Sequence, residues 1–305
     1  MVFSIRKSKL RGGCPLCGDT PANCYRAPAV ISPWIRNIGV KKLTSKYLHC
    51  KNCNLGYFSY RYTQVEMSLI YSEYRGPKYT EIRKGWEPWY SNEYNANHDS
   101  QKFINKRRQI IGAFISEAKQ GPLPTVVDVG GDAGQYIPDL GFKDKYVLEA
   151  SNKILAPGVV RINSLQEVEN ISLIIYAHVL EHVPDPFEAL RDLLSHAERV
   201  YIEVPFGLPV ISKERKSKSN FLVTLLKSKS RHQWAKTSKA STTRSVNPIN
   251  TLIQSEHINF FGEETLQQIA KKLGSECFVK IETIFTPDFS EGKVIQCLLT
   301  RKVVN

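Results

Sequence analysis

Residues 125–136 read TVVDVGGDAGQY. Thr125, Val126 and Val127 form a β-branched apolar run, which suits a buried strand. Asp128 follows, and then three glycines, Gly130, Gly131 and Gly134. Glycine clustered after a strand marks a tight turn where backbone approaches something closely. Gly-rich strand-to-helix turns hold phosphate, dinucleotide and adenosyl groups alike, so the turn alone does not choose among them.

The chain on either side of this turn narrows the choice. Downstream, apolar runs alternate with helical patterns: KYVLEA (145–150), VVRI (159–162), SLIIYAHVL (172–180), ERVYIEVP (198–205), then CFVKIETIF and VIQCLLTRK. A helix over 263–274, EETLQQIAKKLG, closes on Gly274 as a C-cap. Such alternation predicts an α/β, Rossmann-like, doubly wound and mostly parallel seven-stranded sheet. In that architecture ligands sit at the carboxyl ends of the strands. Upstream, Phe103, Ile104, Ile110, Ile111, Phe114 and Ile115 line one face of a helix expected over 101–119.

Three parts follow from these patterns. Residues 1–60 are basic and hold two cysteine pairs, 61–120 form a helical connector or cap, and 121–305 carry the alternating pattern with a basic insertion at about 207–250. Within that insertion, Ser212 to Arg244 holds ten Lys or Arg against one acid, Glu214, out of a net charge of +13 for all 305 residues. Clustered cations of this kind raise the local concentration of an anionic partner. There is no apolar run near the ~20 residues a membrane span needs and no apolar leader segment, so a cytoplasmic protein is expected.

Seven cysteines argue against a disulfide framework in such a compartment. Four of them form two knuckles, Cys14-Pro-Leu-Cys17 and Cys50-Lys-Asn-Cys53. Two Cys-x-x-Cys pairs bring four thiolates to one tetrahedral centre, which suits zinc and leaves no open position for a substrate. A structural zinc is therefore expected, stapling a small module with little core of its own. Gly18 and Asn54 follow each second cysteine, where a positive φ is often required. A closed set leaves Cys24 and His49 without a ligand role.

Several marks now stand in order: Asp128-Val-Gly130-Gly131-Asp-Ala-Gly134, Glu149 at the end of the second strand, His178-Val-Leu-Glu181-His182-Val-Pro-Asp-Pro, Glu203-Val-Pro205-Phe, and Ser255-Glu256-His257-Ile-Asn-Phe-Phe. Together with Tyr74-Arg-Gly-Pro-Lys-Tyr79 and Trp86-Glu-Pro, this set resembles the class I S-adenosylmethionine-dependent methyltransferases. It is most similar to the bacterial group with an N-terminal four-cysteine zinc module, linked to sugar and surface-polysaccharide modification. The resemblance runs from Cys14 to the C-terminus.

The resemblance implies S-adenosyl-L-methionine as cofactor, bound by Asp128, Gly130, Gly131, Gly134, Glu149, Ser164, Ala177 and His178. Glu149 would accept the ribose hydroxyls, Asn163 and Ser164 would lie near the adenine, and Tyr176 to His178 would line the pocket. The family has Gly where Asp132 stands. Methyl transfer is an in-line displacement that needs positioning and, for some acceptors, a base. His257 is the candidate general base, with Glu256, His182 and Tyr79 as the other candidate catalytic residues. The Glu256–His257 pair and Tyr79 look like elements of sugar C-methyltransferases. The further C-terminal domain of those enzymes does not follow the last strands here, so an oxygen or nitrogen acceptor is expected at least as readily.

The expected acceptor is a nucleotide-linked sugar or a surface glycan, whose pyrophosphate would match the basic insertion. A second reading is an RNA methyltransferase or RNA-binding protein, which zinc knuckles and basic charge also fit. Against it, the insertion offers only Phe221 and Trp234 for stacking on bases. A third is a non-catalytic scaffold that binds the cofactor, motivated by Asp132.

Overall fold

A computed structural model describes residues 13–19, 24–72, 74–85, 87, 90, 92–118, 121–151, 153–208, 252–285 and 291–302. The basic segment from Ser212 to Arg244, with Phe221 and Trp234, lies outside the described residues, as do Trp86 and Trp89. Among the described residues no helix is long and apolar enough to cross a membrane.

The chain begins with strands β1 (Cys24–Ile31), β2 (Thr44–Cys50) and β3 (Gly56–Phe58), with a short helix α1 (Pro33–Asn37) between the first two. Helices α2 (Gln64–Ser72), α3 (Pro77–Lys84), α4 (Asn92–His98) and α5 (Gln101–Ala118) follow. The alternating region supplies β4 (Thr125–Val129), β5 (Asp144–Leu148), β6 (Val159–Ile162), β7 (Leu173–Ala177), α6 (Pro186–His196) and β8 (Arg199–Pro205). After the basic segment come β9 (Leu252–Gln254), β10 (Asn259–Phe260), α7 (Glu263–Leu273), β11 (Glu276–Phe285) and β12 (Glu291–Thr300).

Seven of these strands form the expected sheet, in the order β11-β12-β8-β7-β4-β5-β6. Pairing is parallel from β8 to β6, while β12 runs antiparallel to both β8 and β11. The central strand β4 is buried along its whole length, the pattern of a strand covered on both faces. On one face Ile111, Phe114 and Ile115 of α5 pack with Val126, Leu173, Ile175 and Tyr201. On the other, Leu190, Leu193 and Leu194 of α6 and Leu266, Ile269 and Ala270 of α7 pack with Val127, Ile174, Val200 and Ile202. Asp185 caps α6, accepting from the Glu188 backbone N–H at 3.3 Å, with Pro186 in the first turn. Gly274 ends α7 in the left-handed conformation at φ 66°, as its place in the sequence implied.

A second sheet, β10-β3-β2-β1-β9, is made by the N-terminal strands together with two short strands from beyond residue 250. β9 pairs parallel with β1 and β10 pairs antiparallel with β3. Neither β9 nor β10 showed in the sequence pattern, because two or three residues cannot display a period of two. Their effect is functional: the loop between them carries Ser255 to Ile258, and the N-terminal sheet holds that loop over the carboxyl ends of β4, β7 and β8.

The four knuckle cysteines meet at the end of this second sheet. Their Sγ atoms all lie within 4.8 Å of one another, with Cys14···Cys53 at 3.4 Å and Cys17···Cys50 at 3.5 Å. Tetrahedral thiolates ~2.3 Å from a zinc stand just under 4 Å apart, so four such donors fit that ion. Gly18 at φ 73° and Asn54 at φ 57° make the turns the knuckles need. The donated hydrogen bond from Cys53 holds Cys14 down to about 6, and the Cys53 thiol rises in consequence. His49 turns to Asn54, with Nε2 2.7 Å from Oδ1, and Cys24 lies 3.7 Å from the Tyr57 hydroxyl. The knuckles rest on α7, where Lys272 donates to the Leu16 carbonyl at 3.0 Å and Gln268 to that of Asn52 at 3.1 Å.

Candidate active site

A cleft opens where β4, β5, β7 and β8 end. Among its lining residues are Asp128, Gly130, Gly131, Glu149, Ser164, Ala177 and His178 on one side, and His182, Glu256 and His257 on the other.

The first side is built by the turn after β4. Gly130 adopts φ 75° and its N–H donates to the Leu148 carbonyl at 2.9 Å, tying the turn to the end of β5. Gly131 lies so close to Asp128 that a Cβ there would stand 2.0–2.5 Å from the carboxylate atoms. Gly134 (φ 70°) sits behind the turn against Val159. Asp132 takes the left-handed conformation at φ 58°, which aspartate tolerates better than most residues. Lys153 holds its carboxylate at 2.6 Å, so the aspartate that stands in place of glycine is locally compensated. Glu149 accepts from the backbone N–H of Asp132 at 3.3 Å and of Ser151 at 3.0 Å. Ser164 caps the short turn Leu165–Glu167 at the end of β6. Burial, then the nearby charges of Glu149 and Asp132, push the Asp128 carboxyl up to about 7. Three carboxylates thus face one end of the cleft, an environment that favours a cationic ligand.

The floor is His178, at φ 56° with its N–H on the Glu203 carbonyl at 2.8 Å. Its Nε2 lies 2.8 Å from Glu203 Oε1 and its Nδ1 3.4 Å from Glu181 Oε1. Crowding by protein works against its charged form, but the two carboxylates prevail and raise it to about 9. Glu203 is fully buried. It pairs with the buried guanidinium of Arg107 and accepts from the Tyr201 hydroxyl at 2.8 Å. Burial opposes its charge, and Arg107 then His178 hold it far below the usual carboxylate range. Sequence reading missed Arg107, although a signal existed: it interrupts the apolar row Phe103–Arg107–Ile111 at i, i+4 spacing on α5. A charge in such a row needs a buried partner.

The far side brings together all four residues named as catalytic candidates. Tyr79 on α3 is wholly buried and donates its hydroxyl to Glu256, while Arg83 donates to Tyr79 and stands 3.7 Å from Glu256. Burial opposes the charge of Glu256, but Arg83 and Tyr79 hold its carboxyl below the usual range. His182, in the turn Leu180–His182 after β7, lies with Nδ1 3.1 Å from the Glu256 carbonyl. Its ring meets that of His257 edge-on, with centroids 4.6 Å apart. Burial, then the neighbouring His182, push His257 down to about 4, so its imidazole is neutral near pH 7.

These segments are distant in sequence and are stitched together by backbone. The Ile258 N–H donates to the Glu181 carbonyl at 2.9 Å. Asn259 donates to the Val183 carbonyl at 2.8 Å, and Arg61 reaches the carbonyls of Val183 and Ile258 at 2.9 and 3.0 Å. Nothing in the sequence pattern marked Arg61 or Asn259 as braces, because their partners are carbonyls exposed only by tertiary folding.

A family model described as a methyltransferase domain matches residues 99–278. The chain is similar to the solved plantazolicin methyltransferase BpumL in complex with a pentazolic desmethylPZN analogue and SAH, at 15% identity over 78% of this chain and 96% of that one, with a TM-score of 0.41. It is similar to the magnesium protoporphyrin IX methyltransferase ChlM from Synechocystis PCC 6803 with bound SAH, at 14% identity over 73% and 99% of the two chains, TM-score 0.38. The N-terminal domain of EvdMO1 in the presence of SAH and D-fucose matches at 12% identity over 67% and 84%, TM-score 0.38. No curated protein matches the sequence.

Proposed function

The chain belongs to the methyltransferase-domain family, and from that premise we propose that it moves a methyl group from S-adenosylmethionine to a hydroxyl-bearing acceptor, a nucleotide-linked sugar or surface glycan. The observation that carries this reading is the placement of two unlike half-sites on one cleft. One half is glycine backbone and carboxylates; the other is a glutamate and two histidines, with buried Tyr79 donating to the glutamate from behind.

The donor fits the first half by charge and shape. Its sulfonium and amine are cationic and would neutralise the Asp128–Asp132–Glu149 end. The glycine turn admits its amino-acid portion close to backbone, and Glu149 is placed after β5, where a carboxylate receives ribose hydroxyls. Ser164 and Ala177 continue the same wall toward the adenine, and Gly134 supports the turn from behind. His178, fixed by Glu203 and Glu181, orients the floor.

The acceptor belongs to the second half. Neutral His257 can take a proton from an acceptor hydroxyl near pH 7. Tyr79 and Glu256 position that end of the cleft, and His182 closes it. Sugar as the acceptor class rests on the resemblance of Glu256–His257 and Tyr79 to elements of sugar-modifying enzymes. A zinc held by Cys14, Cys17, Cys50 and Cys53 is structural, fixing the sheet from which the acceptor loop hangs.

Titration calorimetry with S-adenosylmethionine and its demethylated product tests the core of this reading. Both should bind the wild type, and Glu149→Ala should weaken each by on the order of tenfold or more, the loss of charge-assisted hydrogen bonds. Binding of neither compound to the wild type would sink it. Turnover on a panel of nucleotide sugars, glycans and RNA then assigns the acceptor.

A further inference from the structure

Glu181 is a carboxylate whose charge burial opposes; neighbouring histidines, His178 first, hold it below the usual range, yet its oxygens keep open lone pairs. It is 99% buried by its 1% exposure, yet neither carboxylate oxygen makes a hydrogen bond. The nearest ring nitrogens are His178 Nδ1 at 3.4 Å and His182 Nε2 at 3.9 Å. His178 offsets its charge from one side, and the lone pairs left without a hydrogen bond are free to take a further partner, a donor or a metal.

The histidines around it are oriented for the second outcome. The partner of His182 Nδ1 is the Glu256 carbonyl, which can only accept, so Nδ1 carries the hydrogen. That leaves Nε2, on the side of Glu181, as the ring nitrogen that would ligate. Donation of the other ring N–H to a backbone carbonyl is the usual way a metal-binding histidine is fixed. His257 packs edge-on against it, and one donor atom from each of Glu181, His182 and His257 lies within 4.8 Å of the others. Donors ~2.1 Å from a shared ion stand about 3–4 Å apart, so a contraction of roughly an ångström completes the set. The backbone bond from Ile258 to Glu181 and the bracing by Asn259 hold the two contributing segments in register.

We propose that Glu181, His182 and His257 bind one divalent first-row transition ion, such as Mn2+, Fe2+ or Zn2+, on the acceptor side of the cleft. Two imidazoles and a carboxylate on one face leave open positions on the ion, and imidazole donors select against Mg2+ and Ca2+. The open positions take oxygen from the acceptor, which makes the acceptor a hydroxyl or vicinal diol. With the ion in place the His257 lone pair would be a ligand; the ion would acidify the bound hydroxyl, whose proton passes to water, in place of the base role of metal-free His257. This inference rests on the reading of the cleft as an acceptor site, but it is measured without turnover.

The test is titration of the full chain, with its thiolate site left loaded, by Mn2+ followed through the EPR signal of the free ion. Wild type should take up one Mn2+ per chain saturably. Glu181→Gln and His257→Ala should each weaken uptake by on the order of tenfold or more, and His257→Ala should leave S-adenosylmethionine affinity unchanged by calorimetry. Should Glu181→Gln fail to fold, His257→Ala decides alone, since its side chain is only partly buried. Absence of saturable Mn2+ uptake, or uptake equal in wild type and His257→Ala, overturns the metal site. Mn2+ uptake without donor binding would leave the metal site standing and remove the methyl-donor reading; the reverse result would do the opposite.

Discussion

The two ends of the cleft solve opposite electrostatic problems. At the donor end, Asp128, Asp132 and Glu149 gather three carboxylates, and burial leaves Asp128 hard to ionise, with its carboxyl up at about 7. At the floor and at the acceptor end, Glu203 and Glu256 are also buried but held ionised by Arg107, His178, Arg83 and Tyr79. At the donor end Lys153 offsets Asp132, but burial and like charges on Asp128 are what a cationic ligand would relieve, whereas Glu203 and Glu256 are compensated by the chain itself. Ligand binding should therefore stabilise the first end strongly, while substitutions should damage the second.

The largest break in this comparison comes from the self-compensated floor beneath His178. Arg107→Met keeps an unbranched apolar stem but removes the guanidinium and its charge beneath Glu203. Stripping one partner from a buried ion pair costs about 3–5 kcal/mol, because the other charge is left uncompensated. Thermal melting should show a large fall in Tm. If the melt is unchanged, the floor is not self-compensated in the way described. The double change Arg107→Met with Glu203→Gln should recover part of the loss, since it removes both charges.

The difference between the ends also explains what the sequence made legible. The donor end is local: strand, acid and glycines follow one another from Thr125 to Gly134, so ten residues display it. The seven-stranded sheet was legible for the same reason, since each strand carries its own apolar run. The cysteine knuckles declared themselves through spacing. The acceptor end is assembled from α3, the turn after β7 and the loop between β9 and β10. Its residues were visible only as isolated polar marks, and resemblance, more than pattern, drew Tyr79, His182, Glu256 and His257 together. Arg107, Arg61 and Asn259 escaped because each acts through a partner far along the chain. The sharing of the N-terminal sheet by β9 and β10 escaped because those strands are too short to have a period.

The second break belongs to the donor end. Gly131→Ala puts a Cβ 2.0–2.5 Å from the Asp128 carboxylate atoms, so the turn or the acid must move. Overpacking of this kind costs about 1–3 kcal/mol, less than the loss at Arg107. Its sharper consequence is for binding. Calorimetry should find affinity for S-adenosylmethionine reduced by on the order of 100-fold, as expected for a shift that misplaces a ligand cradle. Mn2+ uptake should be unaffected, because Glu181, His182 and His257 are held by other segments. Loss of both activities together would show that the two ends are not independent.

The smallest effect is also the most specific to the comparison. The Asp128 carboxyl stands at about 7 in the folded protein, above its ordinary value of 3.8. The folded state therefore holds a proton on this group that the unfolded chain has already released. Stability from that proton is fully present below pH 3.8 and is lost as pH rises through 7. Asp128→Asn carries no such titration, so its melting temperature relative to wild type should climb between pH 5 and pH 8. Saturating S-adenosylmethionine should diminish the climb, since a bound cation favours the ionised acid in the wild type. The self-compensated acid of the floor follows the reverse sign: Glu203, held low, contributes stability above its ordinary value of 4.5 that is lost as pH falls. A constant difference between Asp128→Asn and wild type across that range would show that the donor-end acid is ionised before any ligand arrives, and the contrast between the two ends would then reduce to geometry alone.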